Sequence, residues 1–252
     1  MALSRREPER NNFTDNGSYP APKPERLTDL ELGYTLNTRR LRLGLNGYYM
    51  KYTDQFVQTG ELSDIGENLT TNIKDSYRLG LELQGGASLT PWLSIDVNAA
   101  LSQNKIKDFN EVVEDWDNGS QTIHYDNSTL AFSPSFIGNG FVDVHHGGWH
   151  ATWHTNLVSR QYLDNTECKD RSLPGYSASD VAVSYTLKPS FVREILFSLN
   201  MNNVFNRRYA SSGWVYSAIY ESGGHPNDNR YYQIGFIPMA SRTVMGAVTL
   251  KF

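Results

Sequence analysis

Three histidines at four-residue spacing, His146, His150 and His154, are the first residues in this 252-residue chain whose type and order suggest chemistry. Neutral imidazole is the commonest transition-metal ligand, and it also serves haem. The three share one parity of a segment from Phe141 to Arg160 that reads as a single strand, opposite Trp149, Ala151, Trp153 and Leu157. Along a strand, positions i and i+4 stand roughly 13 Å apart, too far for two ligands on one ion. Polar wall residues are therefore the favoured reading, and no metal site or cofactor is expected. His145 and His124 lie outside this row.

A second cluster is acidic. Asp108, Glu111, Glu114, Asp115 and Asp117 surround Trp116 between Lys105 and Gln121. Such a loop could hold calcium, but the order of an EF-hand and its fixed glycine are absent. A solvated acidic loop is expected, and it disfavours an anionic ligand there. Near the carboxyl end Trp214, Tyr216, Tyr220, Arg230, Tyr231 and Tyr232 gather around Gly223-Gly224 and Pro226. Flat ring faces with a guanidinium suit a siderophore or a porphyrin, and the alternative is an aromatic girdle at a membrane interface. Arg6 and Arg10 could serve an anionic ligand, with Glu7 and Glu9 beside them as internal partners. Asp143, His145 and Ser135 lack a second motif that would make them catalytic, so no catalytic residue and no enzyme activity is expected.

What positions these residues is a set of strands. Thr243 to Phe252 reads TVMGAVTLKF, with Val244, Gly246, Val248, Leu250 and Phe252 on one face and Thr243, Thr249 and Lys251 on the other. Tyr77 to Leu89 alternates in the same way and, after Thr90-Pro91, pairs with the run from Leu93 to Leu101. Further strands are expected near Thr28 to Leu36, Arg40 to Tyr52, Thr122 to Phe132, Phe141 to Arg160, Tyr176 to Leu187 and Glu194 to Phe205, nine in all. Short connections (37–39, 90–91, 133–139, 188–193) alternate with long ones (5–27, 53–71, 105–121, 161–175, 206–240). Turns on one side and loops on the other are the habit of an outer-membrane barrel, with the loops outside the cell. A closed barrel needs an even number of strands, so a tenth is expected upstream of Arg5.

Composition agrees. Tyr 15, Phe 11 and Trp 5 accompany a net charge of −4. No stretch of about 20 apolar residues exists for a membrane helix, which a barrel does not need. The negative charge offers no basic stripe for nucleic acid, and the single Cys168 excludes an internal disulfide. MALSRREPER is polar where an export signal would be apolar, so an upstream portion is expected to precede Met1 in the natural protein.

Three stretches resemble the carboxyl-terminal part of TonB-dependent outer-membrane receptors. Arg6-Glu7-Pro8-Glu9-Arg10 followed by PKPERLTDLELGY, with Glu25, Glu31, Gly33 and Tyr34, is similar to the family's REP-x-R and P-E-x-x-x-x-E-x-G-Y segments. NNVFNRRYAS, with Asn203, Phe205 and Tyr209, is similar to its penultimate strand, and terminal Phe252 to the signal read by the barrel-assembly machinery. The resemblance covers essentially the whole chain. It implies an all-β fold: an antiparallel transmembrane β-barrel, of which residues 1–252 supply the last nine or ten of about 22 strands. It also implies an address in the bacterial outer membrane, in contact with lipid. The implied role is active uptake of a ferric siderophore or similar iron complex, energised by the TonB complex through a plug that this chain lacks. Haem, cobalamin and oligosaccharide are the neighbouring ligand classes, and a passive porin or adhesin barrel is the alternative of another kind. The ligand-contact residues expected on loops are Arg6, Arg10, Trp116, Trp214, Tyr216, Tyr220, Arg230 and Tyr231.

Overall fold

Period-two alternation sets apolar side chains on one face of a strand and polar ones on the other, and the fold follows from repeating that choice. A computed structural model describes residues 1–13, 20–62, 68–220 and 230–252. Its strands in chain order are β1 (Ala2–Arg6), β2 (Glu25–Asn37), β3 (Leu41–Thr53), β4 (Gln55–Leu62), β5 (Asn68–Ile73), β6 (Asp75–Thr90), β7 (Leu93–Asp115), β8 (Gly119–Thr129) and β9 (Phe136–His146). Then come β10 (Trp149–Val158), β11 (Gln161–Tyr162), β12 (Ser172–Leu173), β13 (Tyr176–Leu187), β14 (Glu194–Asn202), β15 (Ala210–Ile219), β16 (Arg230–Pro238) and β17 (Thr243–Lys251). Among the described residues helix is limited to one turn, α1 (Arg10–Phe13).

Ten strands run side by side in the order β1-β2-β3-β6-β7-β9-β10-β13-β14-β17, each antiparallel to its neighbours. The register carries one apolar face across the whole path. Tyr34 stands opposite Leu45, Leu45 opposite Leu83, Leu83 opposite Ala99 and Ala99 opposite Gly138. Further along, Val142 meets Trp153, Trp153 meets Val181, Tyr185 meets Phe197 and Phe197 meets Val248. These side chains are left partly open to the surroundings: Leu32 is 84% exposed, Leu81 46% and Val248 61%. A soluble sheet would cover such a face, whereas lipid covers it in a barrel. The opposite face is polar. Arg42 pairs with Asp96 at 2.7 Å; Asn98 accepts from Asn139, and Asn139 accepts from Asn156, each at 3.0 Å. Among the described residues β1 pairs only with β2 and β17 only with β14, so both edges of the path are open.

The expected count of nine or ten strands agrees with the ten of the path, and β1 occupies the place of the tenth. Two expected strands are corrected. Phe141 to Arg160 is not one strand: β9 and β10 form a hairpin turning at Gly147-Gly148, and Gly147 has φ 58°, a conformation that glycine adopts at little cost. Residues 136–139, expected as a turn, lie inside β9. Because a two-residue turn exchanges parity, His145 rather than His146 joins His150 and His154 on the polar face. Thr122 to Phe132, expected in the wall, instead falls largely in β8, which pairs with the outer half of β7. Turns at 38–40, 91–92, 147–148 and 188–193 all lie at one end of the path, and the long connections lie at the other.

The turn at Gly148 has little room. A Cβ there would stand 2.6 Å from the Thr186 carbonyl oxygen, while Thr186 N donates to the Gly148 carbonyl at 2.8 Å. Gly148→Ala is expected to lower stability by about 1–3 kcal/mol, read as an earlier unfolding midpoint in detergent and urea. An unchanged midpoint would mean that β10 and β13 separate there without cost.

Above the loop end of the sheet the burial logic changes. Along β7 the inward residues are Asn104 and Ile106, then Phe109, Glu111, Val113 and Asp115. The switch of parity falls at Asp108, whose φ is 53°. A left-handed residue costs about 1–2 kcal/mol unless it is glycine, asparagine or aspartate. Past it the β7/β8 hairpin packs against the β4/β5 hairpin. Val57, Ile73, Ile106, Phe109 and Leu130, with Tyr125 against them, form the buried apolar cluster beneath the loops. The connection expected at 105–121 is therefore strand as far as Asp115, with the chain turning at 116–118.

Candidate functional site

The loop end brings together segments distant in sequence. β15 and β16 form a hairpin rising beside β7/β8. The two hairpins are joined by a short parallel bridge, Ala218 to Glu114 and Ile219 to Asp115, extended where Trp116 N donates to the Ile219 carbonyl at 3.1 Å. That bridge sets Trp116 between Tyr220, with ring centroids 5.6 Å apart, and Tyr231, at 5.3 Å. Both pairs are tilted, as aromatic quadrupoles prefer. Trp116 keeps 51% of its surface exposed. The Tyr216 hydroxyl donates to Glu114 at 2.5 Å; burial first and this carboxylate second raise its pKa. The last-loop positions Gly223, Gly224 and Pro226 lie outside the described residues.

Beneath the rings lies an ionic core. Arg230 donates to both oxygens of Glu111 at 2.8 and 2.7 Å, and the two side chains are each 3% exposed. Burial opposes the charge on Arg230, but the bonds and charge of Glu111 outweigh it, so its pKa is raised. The Tyr125 hydroxyl donates to Glu111 at 3.0 Å and accepts from Arg230 at 3.2 Å. Burial, then the Glu111 charge, pushes the Tyr125 pKa up to about 12. A titration followed at the tyrosinate absorbance should thus show one tyrosine ionising near pH 12, and Tyr125→Phe should remove it. Its folded pKa lies above the unfolded value, so its contribution to stability is full below about pH 10 and lost as pH rises through 12.

A second buried pair locks the connection between β10 and β13. Arg171, 2% exposed, donates to Asp164 at 2.6 Å and to Thr166 at 2.8 Å, and its guanidinium lies 5.6 Å from the Tyr232 ring centroid. Asn165 ties the same loop to its neighbours, donating to the Gln58 carbonyl and accepting from Ala131 N. At the tip of β7/β8, Asp115 accepts from Gln121, Asp117 N, Asn118 N and the Asn118 side chain. The Gln121 bond comes first among the causes that hold its carboxyl below the usual range.

The expected site residues therefore divide. Trp116, Tyr220 and Tyr231 come together, with Tyr216 held nearby through Glu114. Trp214 lies on β15, its indole over Gly235 of β16, where a Cβ would collide with the ring. Arg6 reaches the Phe56 ring at 5.4 Å, on the β1 side, and Arg10 sits on α1. Arg230 was expected among exposed aromatics; it is buried against Glu111 instead. The expected solvated acidic loop is corrected too: Glu111 and Asp115 are both buried. Tyr125, Asp164, Asn165 and Arg171 carried no sequence signal, because a buried ion pair leaves no periodicity. On the polar wall, Asp143 lies 3.6 Å from His145 and 2.5 Å from His150, and accepts from Thr152; His154 meets Asn139 and Asp180.

The motif residues serve the frame. Asn203, with φ 49°, donates its side-chain amide to the carbonyls of Arg207 and Ala240 and accepts from Arg207 N, while its own N donates to Asp180. It fastens the end of β14 to the chain entering β17. Tyr209 stacks on Tyr176 at 4.4 Å, and Phe205 lies 5.8 Å from Trp153. Glu7 pairs with Arg5 at 2.8 Å, and Pro8 follows it before α1. Glu25 accepts from Phe56 N at 3.1 Å, Glu31 faces Tyr48, and Gly33 lies where a Cβ would stand 3.3 Å from Asn46. Tyr34 is 62% exposed on the apolar face, and Phe252, beyond β17, is 90% exposed.

A ten-stranded antiparallel path, apolar on one face and polar on the other, with turns at one end and braced loops at the other, defines a wall of the outer-membrane barrel type. Residues 5–204 match the family model described as TonB dependent receptor-like, beta-barrel, and the chain belongs to that family. Members of this family are outer-membrane β-barrels. A search of curated proteins finds no match. Among solved structures, the copper transporter OprC superposes with a TM-score of 0.67 at 19% identity, over 98% of this chain and 35% of that one. The ferric-catecholate import receptor Fiu from E. coli K12 gives 0.64 at 17% identity, over 98% and 32%. The ferric citrate transporter FecA gives 0.60 at 19%, over 91% and 32%. The chain thus spans about a third of the length of these structures, and at such identities the likeness is one of fold.

Proposed function

We propose that residues 1–252 form the carboxyl-terminal strands of a barrel of about 22, in a bacterial outer-membrane receptor that takes up a ferric siderophore or similar iron complex with energy from TonB. The observation that carries this reading is the family match over residues 5–204. The loop end supports it: a ring cluster in which Trp116 is half-exposed and Tyr220 and Tyr231 are partly buried stands on a buried ionic base. Such a surface offers flat contacts to a chelate without having to be ordered first. Arg6, Arg10, Trp214 and Tyr216 are proposed as further contacts on the same side. Arg230 acts through Glu111 by holding the β7/β8 and β15/β16 hairpins together. Phe252 is proposed as the barrel-assembly signal.

The iron reading draws on the cargoes for which FecA and Fiu are named, and that of OprC makes copper the nearest competitor. The deciding experiment is uptake of radiolabelled ferric chelates by cells carrying the full-length gene, with and without the TonB partner. Uptake that requires both the gene and the partner is expected. Uptake that survives deletion of the partner would overturn the reading in favour of a passive pore.

A further inference from the structure

We infer that the apolar face of β13, β14 and β17 holds one anionic phospholipid of the periplasmic leaflet, with an acyl chain in a groove over Gly246 and the phosphate at Lys188 and Arg193. The groove has a volume of about 610 Å³, within the range of roughly 300–1,000 Å³ that small-molecule sites occupy. The strand register builds it. Trp149, Tyr185, Phe197 and Val248 stand in one row across β10, β13, β14 and β17. In the next row Leu199 faces Gly246, so a line of large side chains runs beside a position that has none. A Cβ at Gly246 would come no nearer than 3.9 Å to the Ser198 carbonyl oxygen. Packing within the sheet therefore does not require the glycine, and its effect is to leave the groove open.

Two observations identify what covers it. The first is depth. Trp149 and Tyr185 are tilted against each other with ring centroids 4.6 Å apart, and Trp149 is 57% exposed on the lipid side. Tryptophan and tyrosine gather where a bilayer meets water, and short turns of a barrel are periplasmic. The groove thus opens at the interface of the periplasmic leaflet and runs from there toward the bilayer centre. The second is charge. The four turns at this end, 38–40, 91–92, 147–148 and 188–193, carry Arg39, Arg40, Lys188 and Arg193 and no aspartate or glutamate. Lys188 and Arg193 are exposed. The carboxylate beside them, Glu194, pairs with Lys251 at 2.8 Å, so three cations share one acid.

Lys188 follows Tyr185 by three residues and Arg193 precedes Phe197 by four, roughly 10–13 Å along the strands, a gap that long basic side chains shorten by reaching back along apolar surface. A phospholipid with its tails beside Tyr185 and Phe197 would then bring its phosphate to the two cations. Phosphatidylethanolamine offsets its phosphate with its own ammonium group, whereas phosphatidylglycerol keeps the negative charge, so surplus positive charge here selects the second. The groove and its cations lie at the turn end, opposite the loops that carry Trp116, and the site is independent of the proposed cargo.

The test is native mass spectrometry of the full-length protein in detergent, titrated with phosphatidylglycerol or phosphatidylethanolamine of identical palmitoyl and oleoyl chains. The wild type is expected to retain one phosphatidylglycerol and to prefer it about twenty-five-fold, about fivefold for each of two cations. Gly246→Leu fills the groove and should lose the bound lipid of either kind. Lys188→Gln/Arg193→Gln should abolish the preference, and Arg39→Gln/Arg40→Gln, the same change of charge at another turn, should keep it. Equal retention of the two lipids by the wild type would overturn the site and leave this face an unselective lipid surface. Unchanged retention in Gly246→Leu would overturn the groove as the seat of the chain. Equal losses of preference in the two charge variants would assign it to the whole ring of turns and overturn a single site. Heat-modifiable migration on gels confirms that each variant is folded.

Discussion

Replacing Arg230 by alanine is expected to destabilise the loop end by about 3–5 kcal/mol, the cost of leaving a buried charge without its partner. Glu111 would keep its carboxylate in a space only 3% exposed, with the Tyr125 hydroxyl as its remaining donor among the bonds described above. The damage should stay local, because the ten-stranded wall does not depend on this pair. Hydrogen exchange ought to accelerate in residues 109–125 and 230–238 while β2, β3 and β6 keep their protection. The paired substitution Glu111→Gln with Arg230→Met removes both charges together and should recover most of the loss. A single Arg230→Ala variant with wild-type exchange would show that the pair contributes nothing to holding the hairpins. Recovery by the double variant is the stronger test, because it separates an uncompensated charge from a lost contact.

Trp116→Ala is expected to weaken binding of the proposed iron complex by 2 kcal/mol or more, about thirtyfold, as truncation of a central aromatic anchor commonly does. Trp116 touches both Tyr220 and Tyr231, so its removal also frees the two rings it holds. Trp116→Phe keeps a ring and should retain most of the affinity. Trp214→Ala, on the β15 flank, should cost less. Equilibrium binding of the ferric chelate to the detergent-solubilised receptor measures all three, and equal affinities throughout would remove the cluster from the binding surface.

The wall was legible because lipid and lumen impose opposite demands on neighbouring residues. Leu79, Leu81 and Leu83 against Arg78, Gly80 and Glu82 give both the strand and its sidedness, and β3, β13 and β17 follow from the same pattern. The β9/β10 hairpin was misread for a local reason. Val142 and Val144 keep even parity and Trp149 and Trp153 odd, and that slip of phase, together with Gly147-Gly148, is the mark of a turn. Above the membrane zone the rule fails. The inward face of β7 there carries Glu111 and Asp115 beside Phe109 and Val113, so no alternation of polarity marks it. The aromatics of the site could be found by composition. Their partners could not, since the Arg230 contact with Glu111 spans 119 residues.

The bridge between β15 and β7 has an evolutionary consequence. Two loops separated by about a hundred positions share backbone hydrogen bonds, so neither can be lengthened, shortened or exchanged on its own without breaking the other. Variation at the rim should accordingly be inherited in blocks, with 109–125 and 210–238 changing together. A chimaera designed to acquire a new specificity would need to transplant both segments from a single donor.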